Sequence, residues 1–457
     1  MIDYIIIGIY LGILLLLGIY NRSKYLSLHV YGSISNQMQK GTLLLIATIF
    51  ANSVGGATVY GLSVKAFNEN ISYAYAIILT IIIDILIAAY LVPRISKHYG
   101  VISVGQIMAK YYGKVGSVIT GLAVTFVSFG HIAVQISVSS KILEPVLKIN
   151  YIEGVILSYL IVTIYTALGG LRSVIFVNLF QFLSMVFFIP ILTICALYAI
   201  GGVSSAIEII PKYKYSFADL KNQTGLLFLS FMFFGLNPGF IQRSFISKDT
   251  KRTQQAIYIK SAIYLFFILI VSLNGLLCYA YEQKFPSQST FIELIHKILP
   301  FGLYGLVIVG FLSSSTSTAD SELNIASMSF INDILKPIFK MQDTKLMLLF
   351  IKVSTILIGI FAIYLALEFT DVIELVLFVN GFWISMIVVP FVACLFNIKV
   401  GKKQFIFCCL AGLMSFSFWY YYFNDLISLK GVFIGFITNL IFFALLKTYN
   451  VWHKVII

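Results

Sequence analysis

Apolar residues fill this chain in long runs, each closed by a charge, a glycine or a proline. A helix that crosses a bilayer needs ~20 consecutive, mostly apolar residues. The runs predict about 13 such helices, at 3–20, 41–66, 71–92, 115–140, 151–168, 174–200, 224–242, 256–281, 301–330, 346–367, 372–396, 404–423 and 430–446. The run at 224–242 is the most interrupted, holding Gly235, Asn237, Pro238 and Gly239. The loops between runs are short, which predicts one membrane domain over 1–457 and no soluble appendage. No basic residue precedes the stretch from Tyr4 to Tyr20, only Asp3, and no small-residue cleavage site follows it. That pattern is unlike a secretory signal and reads as a first span entered from outside.

Charge orients the spans. With the N-terminus outside and loops assigned alternately, the inside loops collect 21 of the 31 Lys and Arg, Lys260 among them, and the outside loops nine. Lys352 lies within a span. Cytoplasmic loops carry the excess of Lys and Arg, so the split supports an odd number of spans, with the C-terminus in the cytoplasm of a multi-pass cell-membrane protein. It also accounts for the formal net charge of +13 with no nucleic-acid partner. Composition agrees: 60% of residues are hydrophobic and 11% charged, against roughly 45–50% and 25% in soluble domains. Mean hydropathy is +0.97. The five cysteines lie in apolar runs without metal-ligand spacing. Of the histidines only His131 falls inside a span, where helix packing is the favoured role.

Polar groups inside spans are costly and usually face a cavity or a partner. Asp84, Asp320 and Glu322 are the carboxylates so placed. Six hydroxyl residues run from Ser313 to Thr318, just before Asp320. Ser314, Ser317 and Thr318 share one helix face at i, i+3 and i+4, a set of hard oxygens suited to Na⁺. The second span is interrupted at Ala51-Asn-Ser-Val-Gly-Gly-Ala-Thr58, and the seventh at Phe234-Gly-Leu-Asn-Pro-Gly-Phe-Ile-Gln-Arg243. Paired breaks in corresponding positions point to a midplane site between inverted repeats. Here they predict an all-α, five-plus-five inverted repeat with broken helices in spans 2 and 7, the repeats covering about 41–200 and 224–396.

Three motifs resemble the sodium:solute symporter family, whose fold is of the leucine-transporter type. They are Tyr165-Thr-Ala-Leu-Gly-Gly-Leu-Arg-Ser-Val-Ile-Phe-Val-Asn-Leu-Phe-Gln181, Ile241-Gln-Arg-Ser-Phe-Ile-Ser-Lys-Asp249, and Ser317-Thr-Ala-Asp-Ser-Glu-Leu-Asn-Ile-Ala-Ser327 with Asn332-Asp333 after it. The resemblance implies a sodium site on the carbonyls of Ala51, Val54 and Ser314 and the hydroxyls of Ser317 and Thr318. Similarity to sugar-carrying relatives implies solute contacts near Thr58, Thr80, Ser230, Tyr264 and Asn380. Many relatives have an aspartate at Asn178, in some of them serving a second sodium. The amide here implies one Na⁺ per cycle. Ser53 stands where proline carriers have an aspartate, which argues against proline.

The expected function is Na⁺-coupled uptake of a small polar organic solute by alternating access, with Na⁺ as coupling ion and the chain acting as a monomer. Asp84, Asn178, Asp320 and Glu322 are the coupling or gating candidates. Proton coupling through Asp84 or Glu322, or a transporter-like sensor acting with a separate partner, are the alternatives. No HExxH, GxSxG or zinc spacing occurs, so no enzyme is expected. With no fixed basic residue expected in the cavity, a neutral, zwitterionic or polyhydroxylated solute is preferred.

Overall fold

The helix that carries the hydroxyl run, Leu303–Ser329, is buried over nearly its whole length. A helix polar along so much of its surface cannot face lipid, so the rest of the bundle wraps it. The computed structural model describes residues 2–20, 41–210, 227–228, 234–244, 247–285, 289–369, 371–423 and 430–456. In chain order the elements used below are α1 (Ile2–Tyr20), α2 (Thr42–Ser53), α3 (Leu62–Asn68), α4 (Ser72–Leu86), α5 (Val104–Leu147), α6 (Tyr151–Ile200), α7 (Pro238–Ser244), α8 (Thr250–Lys284), α9 (Leu303–Ser329), α10 (Thr344–Glu368), α11 (Val372–Trp383), α12 (Lys402–Tyr422) and α13 (Lys430–Ile456). No strand occurs among the described residues.

Nine helices among the described residues are long and apolar enough to cross a bilayer, and ten if the bent pair Thr42–Ser53 and Ala57–Asn68 is one span. Three predicted spans fall outside that set for separate reasons. Tyr151–Thr166 is apolar but short. The run 224–242 is described only in part, at 227–228 and 234–242. The 27-residue α9 is long enough, but its hydroxyls lower its hydropathy. Around the bundle Leu16, Phe187, Ile194 and Leu357 leave more than half of their surface uncovered, an arrangement that hydrocarbon accepts and water does not.

Two helices are too long to cross once and stop. The 44 residues of α5 would extend ~66 Å if straight, against a hydrocarbon core of ~30 Å. Gly113 kinks it, with φ 65° and ψ −150°, a backbone region that only glycine enters without strain. In the 50-residue α6, Tyr165 and Gln181 both hydrogen-bond Thr316, at 3.3 and 2.9 Å. Sixteen residues of straight helix span ~24 Å, too far for both side chains to reach one residue. The chain therefore doubles back between them.

The break after α2 has a local cause. The chain bends by 60° between Thr42–Ser53 and Ala57–Asn68. Gln135 of α5 supplies the lost helical bond, accepting from the Gly56 N–H at 2.7 Å. A Cβ on Gly55 would stand 3.0 Å from both Gln135 and Thr318, and one on Gly56 2.7 Å from Val138. The two glycines let the bent backbone press against α5 and α9. At α7 the Asn237 side chain accepts from Phe240 N at 2.7 Å, an N-cap followed by Pro238. The Trp383 indole donates to the freed Leu236 carbonyl at 2.9 Å.

At one end of the bundle Asp333 ties α5 to the end of α9. It accepts from Ser103 at 2.5 Å, Ser329 at 2.7 Å and Asn332 at 2.8 Å. Gly105 and Gly121 pack directly on its side chain.

Candidate cation and solute site

Oxygen atoms converge where α2 breaks. The hydroxyls of Ser317 and Thr318 both donate to the Ala51 carbonyl, at 3.2 and 3.1 Å. They also reach the Ser314 carbonyl, at 3.1 and 3.4 Å. Val54 follows at the C-terminal end of α2, its N–H bonded to Phe50 O at 2.8 Å and its side chain fully buried. Carbonyls left by the bend carry the negative end of the helix dipole. A hard cation of Ca²⁺ size holds oxygens at ~2.4 Å, which sets neighbouring ligands ~3.4 Å apart. Na⁺ is of similar size, and the observed separations are close to that edge. The oxygens fit a monovalent hard cation, which would displace the hydroxyl–carbonyl bonds and take the same atoms as ligands.

Beside these oxygens opens a cavity of about 1010 Å³, its mouth included. Thr58, Thr80, Tyr264 and Asn380, four of the five expected solute contacts, line it. Ser230, the fifth, lies outside the described residues. Thr318 faces the cavity as well as the cation oxygens, so the two candidate sites share a wall.

The coupling candidates divide between two places. Asp84 and Glu322 line the cavity. Asp320 sits two residues from both Thr318 and Glu322, ~200° around the helix, and points to the other side. There it accepts from Tyr165 at 3.1 Å and Ser321 at 3.2 Å. Asn178 joins the same side, donating to Thr48 at 3.2 Å and Ser321 at 3.4 Å.

Two expectations are corrected. Lys260 does not belong to an inside loop: it lies within α8, buried, with its ammonium 2.9 Å from Asp84 and 4.6 Å from the Tyr264 ring centre. The cavity therefore has a fixed cation, and the inside count of basic residues becomes 20 against nine. His131, read as a packing residue, lines the cavity instead. Its Nδ1 stands 3.4 Å from Glu322 and its Nε2 2.8 Å from Asn380. Arg243 closes the second break motif but has no site role in the sequence reading; its guanidinium is fully buried, donates to Gln242 at 2.8 Å and acts electrostatically on Asp320 and Glu322.

The profile of the sodium:solute symporter family matches residues 38–412. The sodium/pantothenate symporter of Haemophilus influenzae is 27% identical over 268 residues, 56% of this chain and 55% of that protein. The sodium/sialic acid symporter of Proteus mirabilis is 21% identical over 393 residues, covering 80% of this chain and 79% of the relative. The matched region spans little more than half the length of the pantothenate symporter and of a rabbit sodium-dependent multivitamin transporter. Among solved structures, the substrate-bound outward-open state of a Na⁺-coupled sialic acid symporter superposes with a TM-score of 0.84 at 18% identity, over 98% of each chain. That superposition establishes a shared fold.

Proposed function

The chain belongs to the sodium:solute symporter family, and we propose that it couples inward flow of Na⁺ to uptake of a small organic solute by alternating access. The observation that carries this reading is the shared wall. Thr318 contributes a hydroxyl to the cation oxygens and a surface to the solute cavity. An ion bound there stiffens the α2 break, whose next residues, Ala57 and Thr58, also line the cavity. Coupling requires the ion to favour one arrangement of the two sites over another. Ala51, Val54, Ser314, Ser317 and Thr318 hold the ion. Thr58, Thr80, Tyr264 and Asn380 contact the solute, and Ser230 is kept as a contact on the resemblance alone. Asp84 and Glu322 act at the cavity, Asp320 and Asn178 behind it.

The solute class that fits best is a carboxylate. Lys260 gives the cavity a cation whose partner, Asp84, a solute carboxylate can compete with, and Tyr264 holds the ammonium in place. Pantothenate and sialic acid, named in two relatives, are both carboxylic acids. This replaces the preference for a neutral, zwitterionic or polyhydroxylated solute, which rested on a cavity without a basic residue.

The remaining features of the account are a single domain with repeats over 41–200 and 224–396, about 13 spans, N-terminus outside and C-terminus inside, one Na⁺ per cycle and a functional monomer. One Na⁺ moving with a monoanion carries no net charge, so membrane voltage drops out. A tenfold sodium gradient then supplies about 1.4 kcal/mol and sustains ~tenfold accumulation. A neutral solute would add ~2.3 kcal/mol per 100 mV and reach ~500-fold.

Proteoliposome uptake tests the proposal. A panel of carboxylates is offered under an inward gradient of NaCl or of choline chloride at equal pH, with charge movement recorded in parallel. Uptake is expected in Na⁺ alone, with no net current beyond any carried by protons. Equal uptake in choline refutes sodium coupling, and a steady inward current not matched by proton uptake refutes one Na⁺ per monoanion.

A further inference from the structure

One polar contact in the cavity has its donor and acceptor fixed by its surroundings. The Asn380 amide nitrogen lies 2.8 Å from the Val376 carbonyl and 2.8 Å from His131 Nε2. A backbone carbonyl only accepts, so the amide must turn its nitrogen that way. Its second N–H then points at His131 Nε2, which must offer a lone pair. The ring proton sits on Nδ1, 3.4 Å from Glu322 Oε1. The other Glu322 oxygen accepts from Ser128, one turn before His131, at 2.6 Å. At this point the neutral ring shows the cavity no donor.

We propose that His131 is a proton-gated receptor for the carboxylate of the solute, an inference that rests on the carboxylate reading above. A proton on Nε2 sets an N–H against the N–H of Asn380. The amide cannot turn over in response, because its oxygen would then face the Val376 carbonyl. The contact opens, and a cationic Nε2–H is released into the cavity. Glu322 still holds Nδ1–H and balances the charge. The proton is exchanged with the bulk solvent through the mouth of the cavity, and no covalent bond forms or breaks elsewhere.

The groups around the ring act consistently with this. From α9, the Glu322 carboxylate faces Nδ1 at 3.4 Å. From α7, Arg243 acts electrostatically on Glu322. Across the cavity Asp84 of α4 and Lys260 of α8 neutralise each other at 2.9 Å. From α11 comes the Asn380 amide, and from α5 itself the Gln135 amide, both uncharged. A solute carboxylate completes the set by pairing with Nε2–H, so its binding takes up one proton. An uncharged analogue has no such partner.

The test uses the full chain in lipid nanodiscs with ¹⁵N-labelled histidine, the His131 signal being the one lost in His131→Gln. At alkaline pH the ring is expected as the neutral Nδ1–H tautomer, and an Nε2–H tautomer overturns the inference. Pantothenate and its alcohol, pantothenol, are then titrated in NaCl across the range in which imidazoles change charge, ~pH 5–8. Pantothenate affinity is expected to rise as pH falls, by up to about tenfold per unit, the limit for one linked proton. Pantothenol affinity should stay flat, and the pantothenate slope should vanish in His131→Gln. A slope that survives in His131→Gln overturns the inference and leaves the carboxylate reading standing. If pantothenate, N-acetylneuraminate and lactate all fail to bind the wild-type protein at any pH, the carboxylate reading falls and this inference with it.

Discussion

Removing the Lys260 ammonium should destabilise the protein far more than removing Lys260 and the Asp84 charge together. The two groups are 2.9 Å apart, with 2% and 9% of their side-chain surfaces exposed. At an effective dielectric of ~20 their attraction is about 6 kcal/mol, set against the desolvation of both. Breaking a buried pair from one side typically costs ~3–5 kcal/mol, because the remaining charge stays buried and alone. Replacing both charges by groups of similar size is often close to neutral. Lys260→Met also gives up the contact with Tyr264, 4.6 Å from the ammonium, about 0.5–2 kcal/mol. Lys260→Met should therefore lose about 3–5 kcal/mol, and Asp84→Asn with Lys260→Met should recover most of it. The assay is reversible denaturation of the purified protein in mixed micelles, carried through the full double-mutant cycle. A Lys260→Met protein as stable as wild type, or a double variant no better than the single one, would refute the pair as drawn. Both variants should lose affinity for carboxylates, which separates the cavity role of Lys260 from its structural role.

Other outcomes follow from the same contacts. Ser317→Ala and Thr318→Ala each delete one hydroxyl bonded to Ala51; with ~1.5–3 kcal/mol for a hydrogen-bonding group facing a charge, the Na⁺ concentration giving half-maximal stabilisation in a melting assay should rise ten- to a hundredfold. Gly55→Ala puts a methyl 3.0 Å from Thr318 and Gln135, and should weaken Na⁺ and solute binding together in parallel titrations. Asp333→Ala strands three donors, from Ser103, Ser329 and Asn332. At ~1–3 kcal/mol for each buried group left unpaired, it should lower the melting temperature, while Asp333→Asn, which keeps one acceptor oxygen, should lower it less.

Features written along a single helix were legible in the sequence. The i, i+3, i+4 spacing of Ser314, Ser317 and Thr318 put three oxygens on one face before any partner was known, and Gly55-Gly56 marked where the facing helix would bend. Spacing alone also separates Asp320 from Glu322, since residues two apart point to opposite sides of a helix. What stayed hidden depends on contacts distant in sequence. Lys260 sits ten residues into α8, near enough to its start to pass for a loop cation. Only Asp84, 176 residues away, explains how it can be buried. His131 looked like a lone ring on an apolar helix until Glu322 and Asn380, from two other helices, closed around it. The bent α2 was foreseen, but not that the Gln135 side chain would replace its missing hydrogen bond.

The central claim is that an ion at the Ala51–Thr318 oxygens and a solute in the adjoining cavity favour each other. Its direct test is a pair of equilibrium titrations on the purified protein: solute binding at low and saturating Na⁺, and Na⁺ binding with and without solute. Linkage requires the two enhancement factors to be equal. They are expected to be equal and well above one in the wild type, and to fall toward one in Thr318→Ala. A factor of one in the wild type, with both ligands bound, would contradict the account.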